Sequence, residues 1–301
     1  MDATAGPAAA VPPDAVRHPW NRGFTWSLPS GEPATLTPAQ KAAFDRDGFV
    51  VVPDVVDVAA LAEVTADLDD LEHQVERFLA TQDGGRVSIA ESGAITFTVH
   101  AVLRSAAARR FVRAPGLVGL ARDLLGPDVD LYWDQAVYKK PEKPRRFPWH
   151  QDTGYTFVEP QHYLTCWVAL TDATVANGCP WVLPGVHRAG TLLHRWVDPI
   201  GWECLPADGA DGPAAGAVAA EVPAGGAVVP AGGAVVFSSP TPHLTGPNTT
   251  AAVRKAYIVQ YGPAGMAVVE GDWQGGGEPT GTVPCDDPDR QFPVLRGGRP
   301  V

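Results

Sequence analysis

Charged residues and cysteines are both scarce in this sequence. Asp, Glu, Lys and Arg make up 19% of its 301 residues, and the four cysteines form neither a CxxC pair nor a zinc-binding spacing. Scattered thiols are typical of a reducing compartment, so we expect a cytoplasmic protein. Residues 1–13 lack the basic start and the apolar run of a signal peptide, and no run elsewhere would span a bilayer, so we expect no membrane partner.

The charge balance is acidic, with a formal net charge of −11. Such a chain repels phosphate backbones, so nucleic acid is not an expected partner. One basic run departs from this balance, at Lys139, Lys140 and residues 143–146. It either holds an anionic substrate or forms a solvated loop, and we interpret it as a loop. A small molecule is the expected partner, and a monomer or homodimer the expected state.

The composition predicts two parts of unequal length. Residues 1–35 are rich in Ala, Pro and Gly and lack periodicity, which indicates a loosely ordered arm that Trp20 and Trp26 could anchor. Residues 36–301 are long enough for a single domain with a substantial core, since 45% of the chain is hydrophobic. The 32 glycines and 30 prolines favour many turns and short strands over a helical bundle.

Helices are predicted in the first half of the chain. Thr37 is a suitable N-cap, with Pro38 at the first helical position, and Gly48 is a suitable stop. The apolar spacing predicts a long amphipathic helix over about residues 58–80. Two shorter helices are expected at residues 106–113 and 117–125.

Short β segments dominate from residue 129 onward. They are expected at residues 131–140, 163–170, 181–183, 227–229, 234–237 and 254–261. Helices followed by many short strands predict an α+β protein with a mainly β core, a β-sandwich or jelly roll at about residues 129–262. A flexible insertion is expected at about residues 207–226, and it runs into a tandem repeat, PAGGAVVPAGGAVV at 223–236.

Three separated residues could bind a metal. His150 and Asp152 form an H-x-D pair, and His243 lies far downstream. Alternate residues of an extended segment point the same way, so the pair can face one ion. Two histidines and one carboxylate can occupy one face of an octahedral Fe(II) and leave the other positions open. A solvated His/Asp pair is the competing interpretation, since an isolated H-x-D also occurs by chance.

Four motifs in order strengthen the metal interpretation. They are WHQD at 149–152, TCWVALTDA at 165–173, NGCPWVLPGVH at 177–187, and HLTGPNT at 243–249 followed by Arg254. With these motifs, about residues 37–262 resemble the phytanoyl-CoA dioxygenase (PhyH) family of Fe(II)- and 2-oxoglutarate-dependent oxygenases. Pro180, Val186 and Thr245 depart mildly from the family pattern, and none of them replaces a metal ligand.

The resemblance implies a double-stranded β-helix, or cupin-like jelly roll, with iron near its mouth. It assigns His150, Asp152 and His243 as the metal ligands, and Fe(II), 2-oxoglutarate and O2 as the cofactors. It also assigns Arg254 to the distal carboxylate of 2-oxoglutarate, where a guanidinium pairs bidentately, with the Thr245 hydroxyl beside it.

Further contacts are expected on weaker grounds. Tyr138 and Trp167 either touch the cosubstrate or are plain core. The candidate substrate contacts, for which ordinary loop packing is the alternative, are Tyr155, Phe157, Arg188 and Trp196. We leave out Gln135, because a regular strand points it away from Tyr138. We interpret His187 and His100 as structural, and His162 and His194 as surface groups.

The expected activity is oxidation, most simply hydroxylation, of a C–H bond in a small molecule. The carboxylate of Asp152 leaves no place for the chloride of related halogenases, so halogenation is not expected. Desaturation, cyclisation and epimerisation stay open, as do a cupin-like metal enzyme without 2-oxoglutarate and a binding protein without catalysis. The Ala-, Gly- and Pro-rich composition indicates a GC-rich bacterial source and a role in secondary metabolism.

Overall fold

The computed structural model describes residue 12 and residues 15–205, 216–220, 229–274 and 276–301. The helices of these residues are α1 (Pro38–Asp47), α2 (Val58–Ala80), α3 (Ala106–Phe111) and α4 (Pro115–Leu125). Each lies where the sequence predicts one, within two residues at either end. In the part of the chain that is described, no helix is long and apolar enough to cross a lipid bilayer.

Helix α1 shows how local sequence sets an element boundary. The Thr37 hydroxyl accepts a hydrogen bond from the Gln40 amide, and the Gln40 side chain accepts one from the Thr37 amide. This reciprocal pair satisfies two amides that a helix start leaves free. The helix ends at Gly48, which has a φ of 84°. A Cβ there would lie 2.5 Å from Nδ1 of His187, so glycine also permits a close approach of another segment.

Short antiparallel strands form most of the remaining structure. They are β1 (Phe49–Val52), β2 (Arg86–Val87), β3 (Ala90–Glu91), β4 (Ile95–Val99), β5 (Val129–Lys139), β6 (Phe147–His150), β7 (Val158–Glu159), β8 (Leu164–Ala169), β9 (Pro180–Val182), β10 (Arg195–Val197), β11 (Gly201–Glu203), β12 (Val218–Ala219), β13 (Ala234–Ser238), β14 (His243–Thr245), β15 (Arg254–Pro263), β16 (Ala267–Glu270), β17 (Gly281–Pro284), β18 (Pro293–Arg296) and β19 (Arg299–Pro300).

Two sheets of unequal size form the body of the protein. The larger has the order β1-β13-β8-β15-β5-β4-β3-β2, with β18 also paired to β5, and the smaller has the order β12-β9-β14-β6. Strands far apart in sequence are therefore neighbours, as a jelly roll requires. The predicted fold is confirmed. The sequence did not reveal β2–β4, β7, β10–β12 or β16–β19, because these are mostly very short or exposed and lack clear alternation.

The central strands of the larger sheet are buried on both faces, and alternate residues divide between them. On β8, Leu164, Cys166 and Val168 pack with the helices in the main core, whereas Thr165 and Trp167 line a cavity on the other face. The same alternation holds along β5 and β15. The helices therefore support one face of the sheet so that the other can carry a site.

The predicted N-terminal arm is anchored in its described part. Trp20 is buried, and its indole Nε1 donates a 2.5 Å hydrogen bond to the Gly277 carbonyl. Trp26 packs on Phe44 and donates to the Asp45 carboxylate. Most of the predicted insertion at 207–226, and the strand at 227–229 apart from Val229, lie outside the described residues. The domain limits stay a prediction.

Three histidines outside the H-x-D segment are enclosed. The prediction that His162 and His194 are surface groups is wrong: His194 is buried, and both ring nitrogens of His162 are shielded from solvent. His187 is buried as expected and its ring packs edge-on against Trp26. Burial lowers the pKa of each of these histidines to about 4. All three are therefore neutral in the folded protein at neutral pH.

These lowered pKa values predict acid-sensitive folding of the metal-free protein. Below pH 6.5 the unfolded chain binds protons that the folded chain does not accept until about pH 4, so stability falls through that window. The loss at pH 5.5 is on the order of 1 kcal/mol for each histidine. Urea unfolding at pH 7.5 and 5.5 measures it. His187→Asn should flatten the slope and His73→Asn, at an exposed position, should not; equal slopes would contradict the assignment.

Candidate metal centre

Antiparallel pairing of β6 and β14 brings the two candidate histidines together. His150 ends β6 and is the direct cross-strand partner of His243, the first residue of β14. Their ring centroids are 4.1 Å apart. Asp152 begins the short turn that follows β6, and its Oδ1 lies 3.8 Å from Nε2 of His150 and 3.7 Å from Nε2 of His243. The three side chains form a group that could hold one metal ion.

Backbone carbonyls orient both imidazole rings. Nδ1 of His150 donates to the Pro148 carbonyl at 2.8 Å, and Nδ1 of His243 donates to the Thr241 carbonyl at 3.0 Å. Because a carbonyl only accepts, each ring carries its proton on Nδ1 and presents the Nε2 lone pair. Burial, reinforced by the neighbouring His243, lowers the pKa of His150 well below its usual value. The ring is thus held in the neutral form that binds metals.

Two donors occupy the outer oxygen of Asp152. Oδ2 accepts hydrogen bonds from the Thr165 hydroxyl at 2.5 Å and from Nε2 of Gln260 at 3.0 Å. Oδ1 alone then faces the histidines, which favours binding through one oxygen and leaves the remaining metal positions open. Sequence reasoning missed Thr165 and Gln260. Their only signal is their cavity-facing position on β8 and β15.

Hydrogen bonds fix Gln151, the residue between His150 and Asp152. The Gln151 side chain donates to the carbonyls of Gly190 and Pro240, and accepts from the Leu192 amide. Its backbone amide donates to Nε2 of His194 at 2.9 Å. The His194 ring passes so close to Gly154 that a Cβ there would lie 2.0 Å from Nε2. Any larger residue at 154 would therefore displace the ring.

A buried cation lies in the same cavity. Arg254 is 1% exposed, and its Cζ lies 5.0 Å from the centre of the Trp167 ring. Within the described residues it has no acidic partner, and its Nε and Nη2 have no hydrogen-bond partner. Burial lowers the pKa of Arg254 to about 9, so it is still charged at neutral pH. A buried guanidinium without a counter-charge is stabilised when an anion binds to it, and a carboxylate can do so through two hydrogen bonds.

The start of the basic run is not a solvated loop. Lys139 is 1% exposed and donates to the carbonyls of Arg145, Thr245 and Gly246. The next cations are engaged as well, since Lys140 pairs with Glu72 and the two arginines of the run pair with Glu91 and Glu203. Lys139 is buried and not solvated because these three carbonyls surround its side-chain nitrogen. Lys139 fixes the backbone of Thr245, a residue that lines the cavity with Arg254.

The cavity has a volume of about 710 Å³. The three metal-ligand candidates line it, and so do four of the other predicted site residues: Thr245, Arg254, Trp167 and Tyr155.

The prediction that Tyr138 contacts the cosubstrate is wrong. Its ring is buried among the helices, where the hydroxyl donates to Asp69 at 2.6 Å, and the cavity is lined instead by Gln135 and Val137. Strand alternation correctly separated Tyr138 from Gln135, but the assignment of the two faces was reversed. Nothing in the local sequence showed which face the helices cover.

Three predicted substrate contacts also lie away from the cavity. Phe157 is buried against His18 and Trp20. Arg188 pairs with Asp45 on α1, and Trp196 is an exposed residue of the β10–β11 hairpin that packs on Trp202. The loop that holds Phe157 does reach the cavity, at Tyr155 and Thr156. Aromatic composition alone did not distinguish the two groups.

Comparison with known proteins agrees with this geometry. The model of the phytanoyl-CoA dioxygenase (PhyH) family matches residues 44–256. An ectoine dioxygenase of Bordetella parapertussis is 30% identical over 160 residues, or 51% of this chain and 50% of that protein. The chain thus spans about half the length of the ectoine dioxygenases that it matches.

Two further comparisons extend over more of the chain. A methylphosphonate hydroxylase of Gimesia maris is 26% identical over 255 residues, or 79% of this chain and 84% of that protein. The epimerase SnoN, solved in complex with Fe3+, alpha ketoglutarate and nogalamycin RO, superimposes with a TM-score of 0.53 at 25% identity. That superposition covers 76% of this chain and 84% of SnoN.

The hydrogen bond from Thr165 to Asp152 predicts a specific effect on metal affinity. Thr165→Val keeps the side-chain shape but removes the 2.5 Å hydrogen bond to Oδ2. Metal affinity should fall about 10- to 100-fold, as is usual when a ligand loses its outer hydrogen bond. Anaerobic calorimetric titration with Fe(II) measures it.

Thr98→Val is the matched control. Thr98 is equally buried, but its hydroxyl has no hydrogen-bond partner among the residues that the structure describes, so its loss should leave metal affinity unchanged. Equal affinities in Thr165→Val and the unaltered protein would show that the bond does not orient the ligand.

Proposed function

Because this chain belongs to the phytanoyl-CoA dioxygenase (PhyH) family, we propose that it is an Fe(II)- and 2-oxoglutarate-dependent oxygenase. One observation carries the proposal: the buried guanidinium of Arg254, which has no acidic partner among the described residues, shares a cavity with a His/Asp/His group. The three ligands match an iron face with open positions. The guanidinium matches the second carboxylate of a dicarboxylic acid whose other end binds the metal.

The site residues would have two roles, binding the metal and orienting the cosubstrate. When bound, Fe(II), 2-oxoglutarate and O2 supply oxidation of an unreactive C–H bond, coupled to decarboxylation of 2-oxoglutarate to succinate and CO2. His150, Asp152 and His243 would hold the metal, while Arg254 and the Thr245 hydroxyl would orient the cosubstrate. The surrounding apolar walls exclude water, which strengthens every polar contact inside.

We propose hydroxylation of a small molecule as the outcome. The relative with the broader coverage is a hydroxylase by name, which supports this choice. The same site would serve epimerisation, as the name of SnoN indicates for that protein. Desaturation and cyclisation would likewise need only a different fate of the substrate. Mass spectrometry separates these outcomes, because hydroxylation adds one oxygen and desaturation removes two hydrogens. A cytoplasmic role in bacterial secondary metabolism remains part of the proposal.

The proposal predicts oxygen consumption that depends on both Fe(II) and 2-oxoglutarate and yields succinate. His150→Ala and Asp152→Ala should abolish it, because each removes one of three ligands. An oxygen electrode and succinate quantification measure the effect. His73→Ala, on the exposed face of α2, is the matched control and should retain activity.

Full turnover in both ligand variants would refute the site. Activity that requires the metal but ignores 2-oxoglutarate would instead favour the cupin-like alternative.

A further inference from the structure

The cavity extends well beyond the metal centre and the guanidinium. Its volume of about 710 Å³ lies within the range of roughly 300–1,000 Å³ typical of sites for drug-sized ligands. The outer part is closed by the end of α2, through Val75, Phe78 and Leu79, and by the β2–β3 hairpin. 2-Oxoglutarate is a five-carbon acid, so most of this space is left for the substrate.

The walls of that outer part are mainly apolar, with Gln135, the cross-strand partner of Val99, as a polar exception. Besides the α2 residues, they comprise Val87, Ile89, Ala90, Ile95, Phe97, Val99 and Phe147. Phe78 and Val87 stand at the rim and are 55% and 44% exposed. Some of these apolar side chains reach water at the edge of the cavity. Covering them with an apolar molecule removes that surface from water and so favours binding. A compact polar substrate would leave these surfaces wet.

The charges of the cavity have one sign outside the metal centre. Among the described lining residues, Asp152 is the only carboxylate, and its two oxygens are committed to the metal position and to the Thr165 and Gln260 donors. A substrate cation would find no counter-charge there. Arg104, by contrast, is exposed at the mouth and its side chain has no hydrogen-bond or ion-pair partner among those residues.

We propose that the substrate is an amphipathic molecule whose apolar body fills the outer cavity and whose anionic group pairs with Arg104 at the mouth. This deepens the proposed function and rests on it for the position of the oxidised carbon, which would lie on the apolar part near His150 and His243. Arg104 is then the residue that selects the head group. Carboxylate and phosphate share the required chemistry, since both accept from a guanidinium.

The test is direct binding to the protein loaded anaerobically with Fe(II) and 2-oxoglutarate, measured by calorimetry. The probes are straight-chain carboxylates of six to fourteen carbons, with alkyl phosphates, alcohols and trimethylammonium ions of the same chain lengths. Affinity should rise about fourfold per methylene until the cavity is full, which corresponds to ~0.8 kcal/mol per methylene. At each length both anions should bind more tightly than the alcohol, and the ammonium ion least tightly. The better of the two anions identifies the head group.

Charge reversal isolates the role of Arg104. Arg104→Glu should weaken anion binding about tenfold and leave the affinity for the alcohols unchanged, because it removes an exposed ion pair and adds repulsion between like charges. Arg110→Glu, at an exposed position of α3, is the matched control and should change none of the affinities.

Two results would overturn the inference: affinity that does not rise with chain length, or ammonium ions that bind the unaltered protein as well as the anions do. These results are separable from failure of the proposed function. Anion binding without any 2-oxoglutarate turnover would refute the oxygenase and leave the amphipathic site standing. Turnover accompanied by ammonium preference would refute the amphipathic site alone.

Discussion

The pairing of two very short strands is the constraint on which the site depends. β6 and β14 meet so that His150 faces His243 across the strand pair, although 92 residues separate them in the chain. That register fixes two ligands, and the turn after β6 delivers the third. Gln151 then ties the turn to the segments around Gly190 and Pro240. A one-residue slip of the pairing would point a histidine away from the metal position. The precision of the centre therefore comes from backbone pairing supported by buried side-chain hydrogen bonds.

The charged side chains of the cavity favour an anionic ligand. Arg254 lies buried in the cavity of the metal ligands and has no acidic partner in the described part of the chain. Lys139 lies near it, and Arg104 is exposed at the mouth. Asp152, the only carboxylate lining the cavity in the described part of the chain, has its outer oxygen occupied by Thr165 and Gln260. An isolated buried cation is costly, so an anion that pairs with Arg254 would stabilise the arrangement. The apolar walls between these charges leave room for the body of a substrate.

Much of the fold and the centre of the site could be predicted from sequence. Helix caps and apolar periodicity are local signals, so α1 and α2 were placed nearly to the residue. The ligands and Arg254 followed from ordered motifs. The rest depends on long-range packing: which face of β5 the helices cover decides the position of Tyr138, and the N-terminal segment decides that Phe157 packs inward on Trp20. The sequence suggested that Lys139 belongs to a solvated run. No motif encodes the three backbone carbonyls that in fact surround its side-chain nitrogen.

One measurement tests most directly whether these residues assemble an iron centre that chelates 2-oxoglutarate. Fe(II) is added anaerobically to the metal-free protein, first alone and then with 2-oxoglutarate, while the visible spectrum is recorded. The account predicts a weak charge-transfer band that appears only when both are present and saturates at one equivalent of each, as expected for one metal position lined by three ligands. Stoichiometric Fe(II) binding with no band at saturating 2-oxoglutarate would contradict it, because the metal would then be held without its cosubstrate.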